Sequence, residues 1–189
     1  MPLPTPSPPS LPPLSAMDKV HAGLLAVGGA GLVCAYWIAF FHSDLTLPNF
    51  VHDMTNPRLV QLTTVYMGFE SAFPLADMLV AVTSALAAFY LIGRDAKAVL
   101  FGLVASGALG FLAFIDISFN LLHHLYAPAA LLRDGGLRME AIINFSCVAG
   151  AVWSIWRLWE HPLRRAEDRP SRLMAKDAAG FGPADAVGR

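Results

Sequence analysis

"AVLFGLVASGALGFLAFIDISFNLLHHLY", residues Ala98 to Tyr126, decides the fold. It opens as an unbroken apolar run. Its last third then gains Asp116, Asn120, His123 and His124. A run of about 20 apolar residues crosses a hydrocarbon core of about 30 Å. In lipid the backbone has to satisfy its own polar groups, so such a run is a helix. The stretch therefore poses a second question: why a membrane helix carries four polar side chains at one end.

The rest of the chain follows the same pattern. It has 189 residues, 56% hydrophobic and 14% charged, where soluble domains carry about 25% charged residues. Four long apolar stretches supply the excess, at about 19–41, 59–92, 98–126 and 137–159. We read an all-α integral membrane four-helix bundle over 19–161. Residues 1–18 form a Pro-rich segment, "MPLPTPSPPSLPPL" onward, expected to be disordered. Residues 162–189 form a polar, Gly- and Pro-punctuated tail. A net charge of −1 and the absence of a basic run give no reason to expect nucleic acid as a partner. The partner implied is the lipid bilayer, with room for self-association or a membrane protein partner.

Lys and Arg near the span ends set the orientation. Lys19, Arg94, Lys97, Arg157, Arg164, Arg165, Arg169, Arg172 and Lys176 fall on one side, against Arg58, Arg133 and Arg138 on the other. Both termini and the short loop "GRDAKA" are expected in the cytoplasm. Trp153, Trp156 and Trp159 then sit at the inner end of span four, as an interfacial aromatic belt does. Cys34 and Cys147 are single residues in different spans, without a C-x-x-C pair, and are read as small apolar packers.

In span three, Asp116, Asn120 and His123 share one stripe at 100° per residue. Traced backwards, the stripe meets Ala113, Gly110, Ser106 and Gly102. Small residues at this spacing admit a close neighbouring helix, so the polar stripe is expected to face protein rather than lipid. Span two, "MGFESAFPLADM", places Glu70 and Asp77 seven residues apart, with Pro74 between them bending the helix. Tyr36 and His42 close span one. Glu140, read as a first-turn acid, and Asn144 open span four. All four spans thus carry polar groups in their outer halves.

Intramembrane carboxylates are costly and usually functional. Asn120 and Asn144, by contrast, are accounted for by interhelical hydrogen bonds alone. Three functions fit these residues. One is a pocket for a small hydrophobic or amphipathic ligand, where burial brings a carboxyl and an imidazole toward neutral pKa and lets them exchange protons. Glu70, Asp116 and His123 are its candidate catalytic residues, with Tyr36, His42, Asp77, Asn120 and Asn144 as ligand contacts. The second is a metal site built from His42, His123 or His124 with Glu70, Asp116 or Glu140, although no H-E-x-x-H or E-x-x-H spacing is present and no cofactor follows from any motif. The third is a membrane subunit without catalysis.

The order of these features resembles the emopamil-binding sterol isomerase superfamily, the EXPERA domain. "FFHSDLTLP" is similar to its span-one exit, with His42 and Asp44. "FESAFPLADM" resembles its span-two glutamate and proline, with Glu70 and Pro74. "DISFNLLHH" resembles its span-three stretch, with Asp116 and His123 or His124, and Asn144 matches its span-four asparagine. The resemblance covers about Tyr36 to Trp153. It implies a four-helix bundle around a cavity for a sterol-like ligand, and isomerase-type proton transfer. "YWIAFFH…NPRLV…SAFPLADM" also resembles small bacterial four-span proteins of unknown function, which implies a bacterial inner membrane.

Overall fold

A computed structural model describes residues 13–42, 47–53 and 55–164. Asp44, most of the Pro-rich segment and residues 165–189 of the tail lie outside the described residues. Every regular element among the described residues is helical. Four helices are long and apolar enough to cross a membrane: Ala16–His42, Pro74–Ile92, Lys97–Leu122 and Gly135–Trp159. These are compatible with an integral membrane protein. They expose large apolar side chains on their outer faces, including Val27, Ile38, Leu75, Phe89, Phe114 and Trp156. Such a surface is unfavourable in water and matched by lipid.

The first helix comprises α1 (Ala16–Gly23), a π-helical stretch (Leu24–Leu32) and α2 (Val33–His42). Ser15 caps it: its Oγ accepts from Asp18 N at 3.1 Å, and Asp18 Oδ2 accepts from Ser15 N at 3.1 Å. This reciprocal pair is a capping box and fixes where the helix starts. A widened turn tolerates the glycine-rich "VGGAG" there. Gly29 meets α4 (Pro74–Ile92) so closely that a Cβ would collide with Ser84.

The second apolar run is not one span, as the sequence led us to expect, but two helices. α3 (Pro57–Glu70) ends at a turn over 71–73, and α4 begins at Pro74. Proline has no N–H to give to the Glu70 carbonyl four residues back. Phe73 N bonds to that carbonyl instead, at 3.0 Å, and Asp77 N bonds to the Phe73 carbonyl at 2.9 Å. Pro74 therefore starts a helix, where its missing donor costs nothing, rather than bending one. Glu70 closes α3, outside the four candidate spans.

α5 (Lys97–Leu122) packs on α4 and on α7 (Gly135–Trp159). The small-residue stripe of α5 faces α7, as its spacing predicts. A Cβ on Gly102 would strike Leu158, one on Gly110 would lie 3.2 Å from Ala151, and Ser106 Oγ donates to Ser154 Oγ at 2.7 Å. The pairing of rising with falling numbers makes these helices antiparallel. α6 (Pro128–Arg133) bridges the two. Asp134 then caps α7 through Gly136 N and Leu137 N, at 2.9 and 3.2 Å. The same carboxylate accepts from Asn49 N and Phe50 N, at 3.1 and 3.0 Å, which pins the 3₁₀ turn Asn49–His52 to the start of α7.

The end of α5 departs from the projected helix. His124 lies in the left-handed region, φ 59°. Leu125 N reaches the Asn120 carbonyl at 2.8 Å, and His124 N reaches the Leu121 carbonyl at 3.1 Å. These two bonds form a Schellman motif, with buried Leu125 packing back beneath it. The helix therefore stops at Leu122, before either histidine.

Candidate functional site: a partly buried carboxylate cluster

α3, α5 and α7 each bring one acid to a common point. Glu70, Asp116 and Glu140 each offer an oxygen, and the three oxygens lie within 4.8 Å of one another. Glu70 arrives because α3 ends there, Asp116 because the small face of α5 turns it toward α7. Glu140 arrives because the antiparallel register sets it opposite Asn120. Glu70 is 6% exposed and Asn120 is 0% exposed, while Asp116 and Glu140 are partly buried.

The partners of these acids are neutral. Asn120 Nδ2 donates to Glu140 Oε1 at 2.6 Å and to Asp116 Oδ1 at 3.0 Å. Asn144 Nδ2 donates to Asp116 Oδ2 and, at 2.8 Å, to the Tyr126 hydroxyl. The Tyr66 hydroxyl donates to Glu140 Oε2 at 3.2 Å and lies beside Glu70 as well. The ion pairs among the described residues, Lys97–Asp95, Arg157–Asp18 and His161–Asp18, lie elsewhere. Burial, and then the neighbouring charges of Asp116, Glu140 and Asp77, push the Glu70 carboxyl up to about 8. Glu70 thus holds its proton at neutral pH. Like charges at this separation do not all ionise together.

Most sequence candidates converge here. Asn120 and Asn144 hold the carboxylates. Asp77 stands to one side, accepting from Trp37 Nε1 at 2.8 Å. Tyr36, half-buried, lies within electrostatic range of Glu70, Glu140, Asp116 and Asp77. Two candidates are not brought in. His123 is exposed at the cap of α5, its ring 4.4 Å from that of Phe119. The Schellman turn takes it off the stripe on which it was placed. His42 is exposed at the end of α2 and makes no hydrogen bond to the carboxylates. Among the described residues, the groups beside Glu70 are carboxylates and the Tyr66 phenol, with no imidazole, and no His/carboxylate set with metal-binding spacing is assembled. An all-oxygen set of Glu70, Asp116 and Glu140 suits a hard cation instead.

Sequence reasoning passed over two members, Tyr66 and Tyr126, and weighed Glu140 only as a metal ligand. Glu140 looked like an ordinary first-turn acid. Tyr66 precedes Glu70 by one helical turn, and this i, i+4 spacing was its available signal. Tyr126 follows the helix end and reaches Asn144 only through the Schellman turn, which periodicity does not show.

A second polar group occupies the opposite end of the molecule. His21, 1% exposed, bonds through Nε2 to Ser154 Oγ at 2.8 Å, which in turn accepts from Ser106. Asp18 Oδ1 accepts from Arg157 Nη2 at 2.8 Å and meets His161 Nε2 at 3.2 Å. Comparison of the chain with protein-family models, curated proteins and solved structures finds no match.

Proposed function

We propose that this is a multi-pass membrane protein that binds a small amphipathic ligand at the Glu70–Asp116–Glu140 cluster and moves a proton on it. The observation that carries this reading is the approach of three carboxylates, one buried and two partly buried, to within 4.8 Å, with amide and phenol donors around them among the described residues. Such a group attracts positive charge, whether carried by a ligand or developing in a reaction. Glu70 is a proton donor at neutral pH, and an ionised neighbour, Asp116 or Glu140, is the acceptor. In isomerase-type chemistry Glu70 would protonate one carbon of a double bond. The other alkene carbon would become cationic, and the neighbouring carboxylate would take a proton from the saturated carbon on its far side, so the double bond moves by one position and protons balance. Asn120 and Asn144 would keep the acceptor in place. The resemblance of "FESAFPLADM" and "DISFNLLHH" to the EXPERA superfamily supports a sterol-like or other lipid-like ligand, although no imidazole takes part. The resemblance to small bacterial four-span proteins supports a bacterial inner membrane location, and the Lys and Arg asymmetry supports cytoplasmic termini, which puts the cluster in the outer half.

The reading without catalysis rests on one observation of its own: Asn120 binds Glu140, and Asn144 binds Asp116, between α5 and α7 as interhelical clamps do. Ligand binding separates the two. The full-length protein in mild detergent is titrated with an amphiphilic tertiary amine and with its neutral carbon isostere, following thermal stability. We expect the amine to stabilise more strongly, and Glu140→Gln to weaken its binding at least about tenfold, the scale of one buried charge contact. Equal stabilisation by amine and isostere, or unchanged binding in Glu140→Gln and Glu70→Gln, would leave the cluster a structural clamp.

A further inference from the structure

Proton transfer on a ligand leaves the cluster in the wrong state for a second round. Glu70 has lost its proton and a neighbouring carboxylate has gained one, so the next turnover needs that proton returned. A hydroxyl can accept and donate a proton at one atom, and Tyr66 places one between two of the acids. Its hydroxyl donates to Glu140 Oε2 at 3.2 Å and lies beside the Glu70 carboxyl. Tyr66 and Glu70 are about one turn apart on α3, which sets both on the face that meets Glu140. The phenol is 1% exposed. Its ring meets that of Phe50 edge to face, with centroids 5.4 Å apart, and Phe50 N is bonded to Asp134 at the start of α7. The hydroxyl is thus held in place rather than free to swing.

The bonding pattern selects Glu140 as the acid that the phenol serves. Asp116 accepts from amides on both oxygens, Asn120 Nδ2 at Oδ1 and Asn144 Nδ2 at Oδ2. A side-chain amide nitrogen donates a hydrogen bond and offers no lone pair to take a proton in exchange. Glu140 has the Asn120 amide at Oε1 but the phenol at Oε2. Burial, and then the charges of Glu70 and Glu140, hold the Tyr66 phenol far above its ordinary range. It therefore stays neutral, and a proton entering it is matched by one leaving. We propose that Tyr66 is the relay that returns a proton from Glu140 to Glu70, which makes Glu140 the acceptor in the reaction. The Glu140 O–H bond breaks as its proton passes to the phenol oxygen. The phenol O–H bond breaks as its own proton passes to the Glu70 carboxylate. The phenol is regenerated, negative charge moves from Glu70 to Glu140, and no co-reactant is consumed. The hydrogen bond seen, Tyr66 donating to Glu140, is the one this transfer leaves behind. The proposal rests on the reading that the cluster moves protons, and not on which ligand it takes.

The test needs no ligand. The full chain in mild detergent is moved into heavy water at a pH where Glu70 is protonated, and exchange of its carboxyl proton is followed by infrared. The band is assigned by its loss in Glu70→Gln. Tyr66→Phe keeps the ring and removes the hydroxyl. We expect exchange at Glu70 to slow at least about tenfold, a low bound for a positioned proton-transfer group, after correction for any change in its titration midpoint. Glu140→Gln, which removes the partly buried outlet of the path, should slow it as well. The double variant should be no slower than the slower single one, because both cut the same path. Unchanged exchange, or slowing that the midpoint change accounts for, would overturn the relay. So would slowing that multiplies in the double variant. Glu140→Gln decides by the same criterion should Tyr66→Phe fail to fold. The comparison of amine with isostere stands apart: equal stabilisation there with slowed exchange here would remove the ligand reading and keep the relay.

Discussion

Asn120 shows how much rests on one side chain. It has no exposed surface, and its amide nitrogen serves both Glu140 and Asp116. Its Oδ1 has no hydrogen-bond partner. A leucine of similar volume would leave two partly buried carboxylates short of a donor. Each such loss costs roughly 1–3 kcal/mol. We expect Asn120→Leu to destabilise the protein by about 2 kcal/mol, read by reversible unfolding in mixed micelles. A change below about 0.5 kcal/mol would mean the amide is not a clamp. Asn120 was visible in the sequence because its spacing put it on the stripe with Asp116. Its pairing with Glu140 was not, because only the α5–α7 register identifies the residue opposite Asn120, and register is a tertiary fact.

Helix ends decide more here than helix interiors. His124 occupies the left-handed position of a Schellman motif, where a side chain costs roughly 1–2 kcal/mol and glycine costs little. His124→Gly should therefore raise stability by about 1 kcal/mol; a loss would show that the imidazole has a role the geometry does not reveal. The α5–α7 contact offers a paired comparison. A Cβ on Gly102 would collide with Leu158, whereas one on Gly107 meets nothing within 4 Å. Gly102→Ala should cost about 1–3 kcal/mol by overpacking. Gly107→Ala should be neutral or favourable by up to about 1 kcal/mol. Equal effects at the two sites, in the same unfolding assay, would contradict the packing of the small face. That face was legible from the repeat Gly102, Ser106, Gly110, Ala113. The break at Pro74 was half legible: proline announced an interruption, but a kink and a fresh start look alike in sequence. Which one occurs depends on whether the preceding turn, at 71–73, can redirect the chain.

At the scale of the molecule, the polar groups separate into two ends. Glu70, Asp77, Asp116 and Glu140 gather at one, Asp18, His21, Arg157 and His161 at the other, with apolar helix between. Alternation of antiparallel helices made the first gathering readable from depth alone. The second escaped notice because its residues are scattered from Asp18 to His161 and none sits in a motif. Asn49 N bonds to Asp134, so reporters at Asn49 and Gly135 should read the same side of the membrane, and one within 93–96 the other. A cytoplasmic signal at Asn49 would place the carboxylate cluster in the inner half. The central claim is that Glu70, Asp116 and Glu140 form one electrostatic unit, and infrared-detected titration of the buried carboxyl bands tests it most directly. Glu70→Gln should remove a band that deprotonates near pH 8. In Asp116→Asn, where a neighbouring negative charge is gone, the Glu70 band should lose its proton at clearly lower pH than in the unaltered protein. If the Glu70 band titrates at the same pH in both proteins, the two acids do not share a site, and the account fails at its centre.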